Sequence, residues 1–138
     1  MPEVTIKWLE ARRFVGVDST QHGIVISGSD QGDSIGVKPA DLMLLALGSC
    51  TAYDVVNILE KKRQKLTGLD IRVSGTQLPD PPWTFTACHI QYVFKGRELT
   101  TKAVEDAISL SDEKYCSVAA TLRLGIPVTH DYEIIEDE

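Results

Sequence analysis

The sequence predicts an α+β fold, and three observations carry that prediction. Strand-like and helix-like stretches are grouped rather than strictly alternating. The chain has 138 residues, 43% hydrophobic and 25% charged, the composition of one folded domain covering residues 1–138. One segment, from Pro39 to about Lys65, is long enough to be a central helix, and neither repeats nor low-complexity tracts interrupt the chain.

The elements follow in order. Val4–Leu9 alternates, with Val4, Ile6 and Trp8 on one strand face, and Arg12 to Gly16 continues the ribbon. Asp18–Gly23 (DSTQHG) is a turn, and Ile24 to Ile26 form the returning strand. Ser27–Pro39 is a polar, glycine-rich loop, long enough to be a candidate for function. Pro39 suits the first turn of the long helix, Asp41 complements its N-terminal dipole, and Lys61, Lys62, Arg63 and Lys65 complement its end, with Gly68 as a stop. The first half of this helix is apolar nearly all round, so it must be enclosed on all sides. A second subunit is the natural way for a short chain to achieve that.

Two strands come next. Leu69–Gln77 turns Leu69, Ile71 and Val73 inward, and Thr84–Phe94 carries Phe85 and Ala87, then a register set by Ile90, Tyr92 and Phe94. Thr101–Leu110 has Ala103, Val104, Ala107 and Ile108 at helical spacing. A further helix is expected from about Glu113 to Leu124, ended by Gly125, and a last strand over Val128–Ile135.

Composition narrows the function. The net charge is −6 and the sequence pI about 5.0, which argues against a broad nucleic-acid surface. The N-terminal residues lack a signal-peptide pattern, and the longest uninterrupted apolar run, Leu42–Leu47, is too short to span a bilayer. The expectation is a cytoplasmic protein that binds neither membrane nor nucleic acid. In a reducing compartment, Cys50, Cys88 and Cys116 are buried thiols, a redox pair or metal ligands rather than a disulfide framework.

Metal and cofactor chemistry is not expected. There is no CxxC or HxxxH, Cys88 and His89 point to opposite strand faces, and the glycines of residues 28–36 fit no phosphate-loop or dinucleotide spacing. Cys88, between Ala87 and His89 in a strand, reads as packing. Cys116 is placed in the first turn of its helix beside Lys114, and both features lower a thiol pKa. Cys50 sits in mid-helix and shares a face with Asp54, whose charge opposes ionisation. Gly48, two residues earlier, costs about 1 kcal/mol relative to alanine, which points to a close backbone approach.

Two segments together resemble the paired cysteine signatures of the OsmC/Ohr family (osmotically inducible protein C and organic hydroperoxide resistance). They are KPADLMLLALGSCTAYDVVNILEKKR (Lys38–Arg63) and LSDEKYCSVAATL (Leu110–Leu122), and the wording is closer to the broader OsmC-like branch. The resemblance implies an OsmC-like fold, with a long central helix wrapped by antiparallel sheets in an intertwined homodimer. It implies a thiol peroxidase in which Cys50 attacks an organic hydroperoxide, Cys116 resolves the sulfenic acid as a disulfide, and a lipoyl-type dithiol reduces it. No cofactor is implied. The organic hydroperoxide resistance branch has a glutamate after the helix-starting proline and an arginine in the N-terminal hairpin. Here Ala40 follows Pro39 and the turn STQHG has no arginine, so Asp41 and Arg13 are the expected polar partners of the thiols. Two other readings use the same residues: a binding protein for a hydrophobic small molecule at the dimer interface, and a thiol–disulfide exchange or sulfur-carrier protein.

Overall fold

The computed structural model describes all 138 residues. They form two compact units, Met1–Met43 and Leu44–Glu138. The boundary falls inside the long helix.

The N-terminal unit is a three-stranded antiparallel sheet of β1 (Thr5–Glu10), β2 (Arg13–Val17) and β3 (Gly23–Ser27). The expected continuous ribbon over residues 4–16 is instead a hairpin. Ala11 takes a left-handed φ of 46°, and Trp8 pairs with Phe14 across the reversal. The turn at Asp18 forms as expected: its carboxylate accepts the backbone N–H groups of Thr20 and His22 at 3.0 and 2.8 Å. The glycine-rich loop is tied down internally. Buried Ser27 accepts from the N–H groups of Ile35 and Gly36 at 3.1 and 3.0 Å, and buried Asp33 pairs with Arg12 at 2.5 Å. All of β1 is exposed, including Ile6 and Trp8 of its apolar face, and so is Val4 just before it.

The long helix α1 spans Pro39–Lys61. It ends earlier than the basic cluster predicts, because Arg63 adopts a left-handed φ of 58° and Lys65 already belongs to the next strand. Here Arg63 takes the conformation usually left to glycine, so Gly68 plays no part in the stop. By length and composition alone α1 is apolar enough to cross a membrane. Its residues Leu47, Gly48, Thr51, Val55 and Leu59 are nevertheless buried along one face, as in a core helix.

In the larger unit, β4 (Lys65–Gln77) pairs antiparallel with β5 (Phe85–Arg97), and β6 (Val128–Glu136) pairs parallel with β5. The parallel pairing needs a crossover, which α2 (Thr101–Leu110), a π turn (Ser111–Tyr115) and α3 (Ser117–Arg123) supply. Cys88, Ile90, Tyr92 and Phe94 point into the core from β5, and the Tyr92 and Phe94 rings stack 5.6 Å apart. Leu47, Val55 and Leu59 of α1 and Val104, Ala107 and Ile108 of α2 are buried as well. Gly48 faces β4: a Cβ there would lie 2.8 Å from Val73 Cγ2 and 3.7 Å from Ile71 Cγ2. That is the close approach its cost in helix propensity implies.

One helix departs from expectation in a way that shapes the site. Instead of a single helix from about Glu113, the chain makes the π turn and then breaks at Cys116, whose backbone is extended at φ −82°, ψ 100°. Cys116 is the cap of α3, and its Sγ accepts from the Ala119 N–H at 3.3 Å.

Candidate dithiol site

Three side chains converge in the larger unit. Cys50 and Asp54 are one turn apart on α1, so they project from the same face. Cys116 arrives from the break between the π turn and α3. The Cys50 sulfur, the Cys116 sulfur and an Asp54 carboxylate oxygen all lie within 4.8 Å of one another. Both thiols are free.

The surroundings set the roles of the two thiols. Cys116 is buried, 2% exposed, whereas Cys50 is half-buried. Burial, and then the Cys50 thiol beside it, push the Cys116 thiol up to about 11. The N–H groups of Ala119 and Val118 oppose this and are outweighed. This reverses the expectation that Lys114 and a helix start lower it. Lys114 is exposed on the π turn, and Cys116 caps α3 rather than lying inside its first turn. Cys116 therefore stays a thiol well above neutral pH, and the accessible nucleophile of the pair is Cys50.

Asp54 is oriented by the buried Ser111 hydroxyl, which donates to its Oδ2 at 3.0 Å. Sequence reasoning missed Ser111. It lies 57 positions away in the chain, and the π turn brings it to α1. Arg123 was missed as well. Its guanidinium bonds the Asp112 carboxylate and donates to the carbonyls of Asp112 at 3.0 Å and Val128 at 3.3 Å, clamping the π turn against the start of β6. Tyr92 is buried on β5, and its phenol is raised to about 12, chiefly by burial.

A groove of about 340 Å³ opens beside Asp54, lined also by Asn57, Ile58, Lys61, Lys62, Leu110 and Tyr115. Asp54 belongs to both the groove and the cluster, and neither cysteine lines the groove.

The other candidates belong to other parts of the chain and are not members of this cluster. Arg13 is on β2 in the N-terminal unit, where it donates to the Glu10 carboxylate at 3.3 Å and to the Gly32 carbonyl. Asp41 is exposed in the first turn of α1, with its N–H bonded to the Lys38 carbonyl at 3.1 Å. Cys88 is buried in β5, and burial pushes its thiol up.

Fold and site together define an α+β protein built around a half-buried dithiol carried by a central helix and a helix cap. The OsmC-like protein family model matches residues 30–131, which include all three converging side chains. The chain belongs to the OsmC-like protein family. It is 35% identical to protein YhfA of Escherichia coli (strain K12) over 133 residues, 96% of this chain and 98% of YhfA. Among solved structures it is similar to a hypothetical protein from Aquifex aeolicus VF5, with a TM-score of 0.87 and 30% identity across 100% of this chain and 98% of that one. It shares a fold with the organic hydroperoxide resistance protein OhrB of Bacillus subtilis, with a TM-score of 0.63 and 13% identity over 96% and 98% of the two chains.

Proposed function

We propose that this protein is a thiol-dependent reductase of organic hydroperoxides. The observation that carries the reading is the approach of the Cys50 and Cys116 sulfurs to within 4.8 Å, with the buried thiol held protonated behind the accessible one. The Cys50 thiolate attacks the distal peroxide oxygen, the O–O bond breaks, and the alkoxide leaves as an alcohol after taking a proton. Cys50 becomes a sulfenic acid. The Cys116 sulfur then attacks that sulfur, loses its proton, and water departs as the disulfide closes. A small dithiol of the lipoyl type returns both thiols by exchange. Support for an organic rather than a small hydrophilic peroxide comes from the groove beside Asp54, whose wall includes Ile58, Leu110 and Tyr115.

In this reading the protein works as a cytoplasmic homodimer. The support is the apolar face of α1 that a single chain leaves open: Tyr53 is 72% and Leu45 53% exposed. Arg13 and Asp41 serve as polar partners of the site within that assembly.

The test treats reduced protein with an organic hydroperoxide and follows intact and peptide masses. A Cys50–Cys116 disulfide forms. Cys50→Ser abolishes it, and Cys116→Ser leaves oxidised Cys50. If both thiols stay reduced through many minutes of excess peroxide, the proposal fails. The groove favours a second reading, a carrier of an apolar ligand with inert thiols, which that result supports.

A further inference from the structure

We infer that Cys50, Asp54 and Cys116 also form a three-ligand site for a thiophilic divalent cation, best matched by Zn2+. No contiguous motif announces it, because the ligands come from two turns of α1 and from the cap of α3.

The donor set is the first argument. Two thiols and one carboxylate suit zinc, whereas magnesium and calcium require oxygen ligands throughout. Geometry is the second. Tetrahedral zinc with bonds of about 2.0–2.3 Å holds its ligand atoms roughly 3.5–3.8 Å apart. The three donor atoms already lie within 4.8 Å of one another, so closure needs each to move by about 1 Å or less, within the reach of side-chain torsions. The third argument is the set of contacts behind the ligands. Buried Ser111 holds Asp54 Oδ2 at 3.0 Å, and the Ala119 N–H fixes the Cys116 sulfur at 3.3 Å. Such outer contacts orient ligands in metal sites. Three protein ligands leave one position open, and Asp54 also lines the groove.

Binding is written M2+ + 2 RSH → M(SR)2 + 2 H+, with the Asp54 carboxylate as the third ligand. The same two sulfurs cannot be bonded to each other and to the metal as thiolates. Metal and disulfide are therefore alternative states, and the cation guards the thiols against oxidation. This inference rests on the cluster's geometry and does not require the peroxidase reading.

The experiment titrates the reduced full-length chain with Co2+ under anaerobic conditions, then displaces it with Zn2+ against a chromophoric chelator. One cobalt per chain is expected, with a thiolate charge-transfer band in the near ultraviolet and the visible bands of a tetrahedral ion. Cys50→Ser and Cys116→Ser each remove most of the charge-transfer intensity and weaken zinc binding by about a hundredfold or more. Ser111→Ala weakens it by about tenfold, and Cys88→Ser leaves it unchanged. The preformed disulfide binds no metal, and bound zinc protects Cys50 from alkylation. Absence of the charge-transfer band at one equivalent overturns the inference, as does zinc affinity unaltered in both serine variants. Peroxide-driven disulfide formation in metal-free protein is read separately by mass, so failure of the redox reading and failure of the metal site are told apart.

Discussion

Replacing Gly48 by alanine tests how α1 meets the sheet and, through it, how Cys50 is placed. Two effects oppose each other. Alanine improves helix propensity by about 1 kcal/mol. Its Cβ would sit 2.8 Å from Val73 Cγ2, a contact real side chains do not tolerate, and Ile71 Cγ2 is a further neighbour at 3.7 Å. Val73 is β-branched, so it has no flexible end to swing aside and the helix must back away instead. Overpacking of that kind costs about 1–3 kcal/mol. The net change is a loss centred on about 1 kcal/mol, or a fall of about 0.3–1 M in the urea midpoint at fixed chain concentration. The double variant Gly48→Ala/Val73→Ala regains the space, so the pair is non-additive by at least about 0.5 kcal/mol in the stabilising direction. Displacement of α1 also moves Cys50, two residues on, so the single variant closes the Cys50–Cys116 disulfide more slowly while keeping its far-ultraviolet circular dichroism. A raised urea midpoint, the gain an open helix position gives, refutes the packing argument.

Further predictions concern the charges and the exposed face. Asp54→Asn removes a negative charge within 4.8 Å of the Cys50 sulfur. Such a charge is worth about 1 kcal/mol even at water-like dielectric, so iodoacetamide should alkylate Cys50 about fivefold faster at neutral pH. The Cys116 thiol is raised from 9.0 to about 11, which favours the folded state only while it is protonated. Its contribution is complete below pH about 9 and is lost as pH rises toward about 11, so the urea midpoint of reduced protein should fall across that window and fall less in Cys116→Ser. Arg123→Met frees the π turn from Asp112 and Val128; urea titration should show a loss of about 1–3 kcal/mol, and disulfide closure should slow. Tyr53→Glu places a charge on the exposed apolar face of α1; sedimentation should find the parent chain a dimer and this variant a monomer.

Much of the fold was legible in local pattern, and the exceptions have physical causes. Period-two alternation marked the inward residues of β4 and β5, and helical spacing marked α2 with its bounds. What failed were reversals with no glycine to announce them: Ala11 and Arg63 both take left-handed backbone conformations that sequence assigns to glycine first. The break at Cys116 was hidden for a similar reason, since KYCSVAATL reads as uninterrupted helix and only packing of the π turn against α1 interrupts it.

The site divides the same way. Residue order alone determined that Cys50 and Asp54 share a helix face, that Gly48 marks a close approach, and that a second cysteine segment completes the family pattern. These are local properties, set by a period of 3.6 residues and by residue type. Tertiary structure alone decided which thiol is held protonated, because desolvation depends on what covers Cys116, and covering is a property of the packed core rather than of its neighbours in sequence. It also brought Ser111 to Asp54 and gathered two sulfurs and a carboxylate into one cluster. Their separation in the chain, from Cys50 to Cys116, leaves no trace in spacing, and only the crossover through α2 and the π turn brings them together.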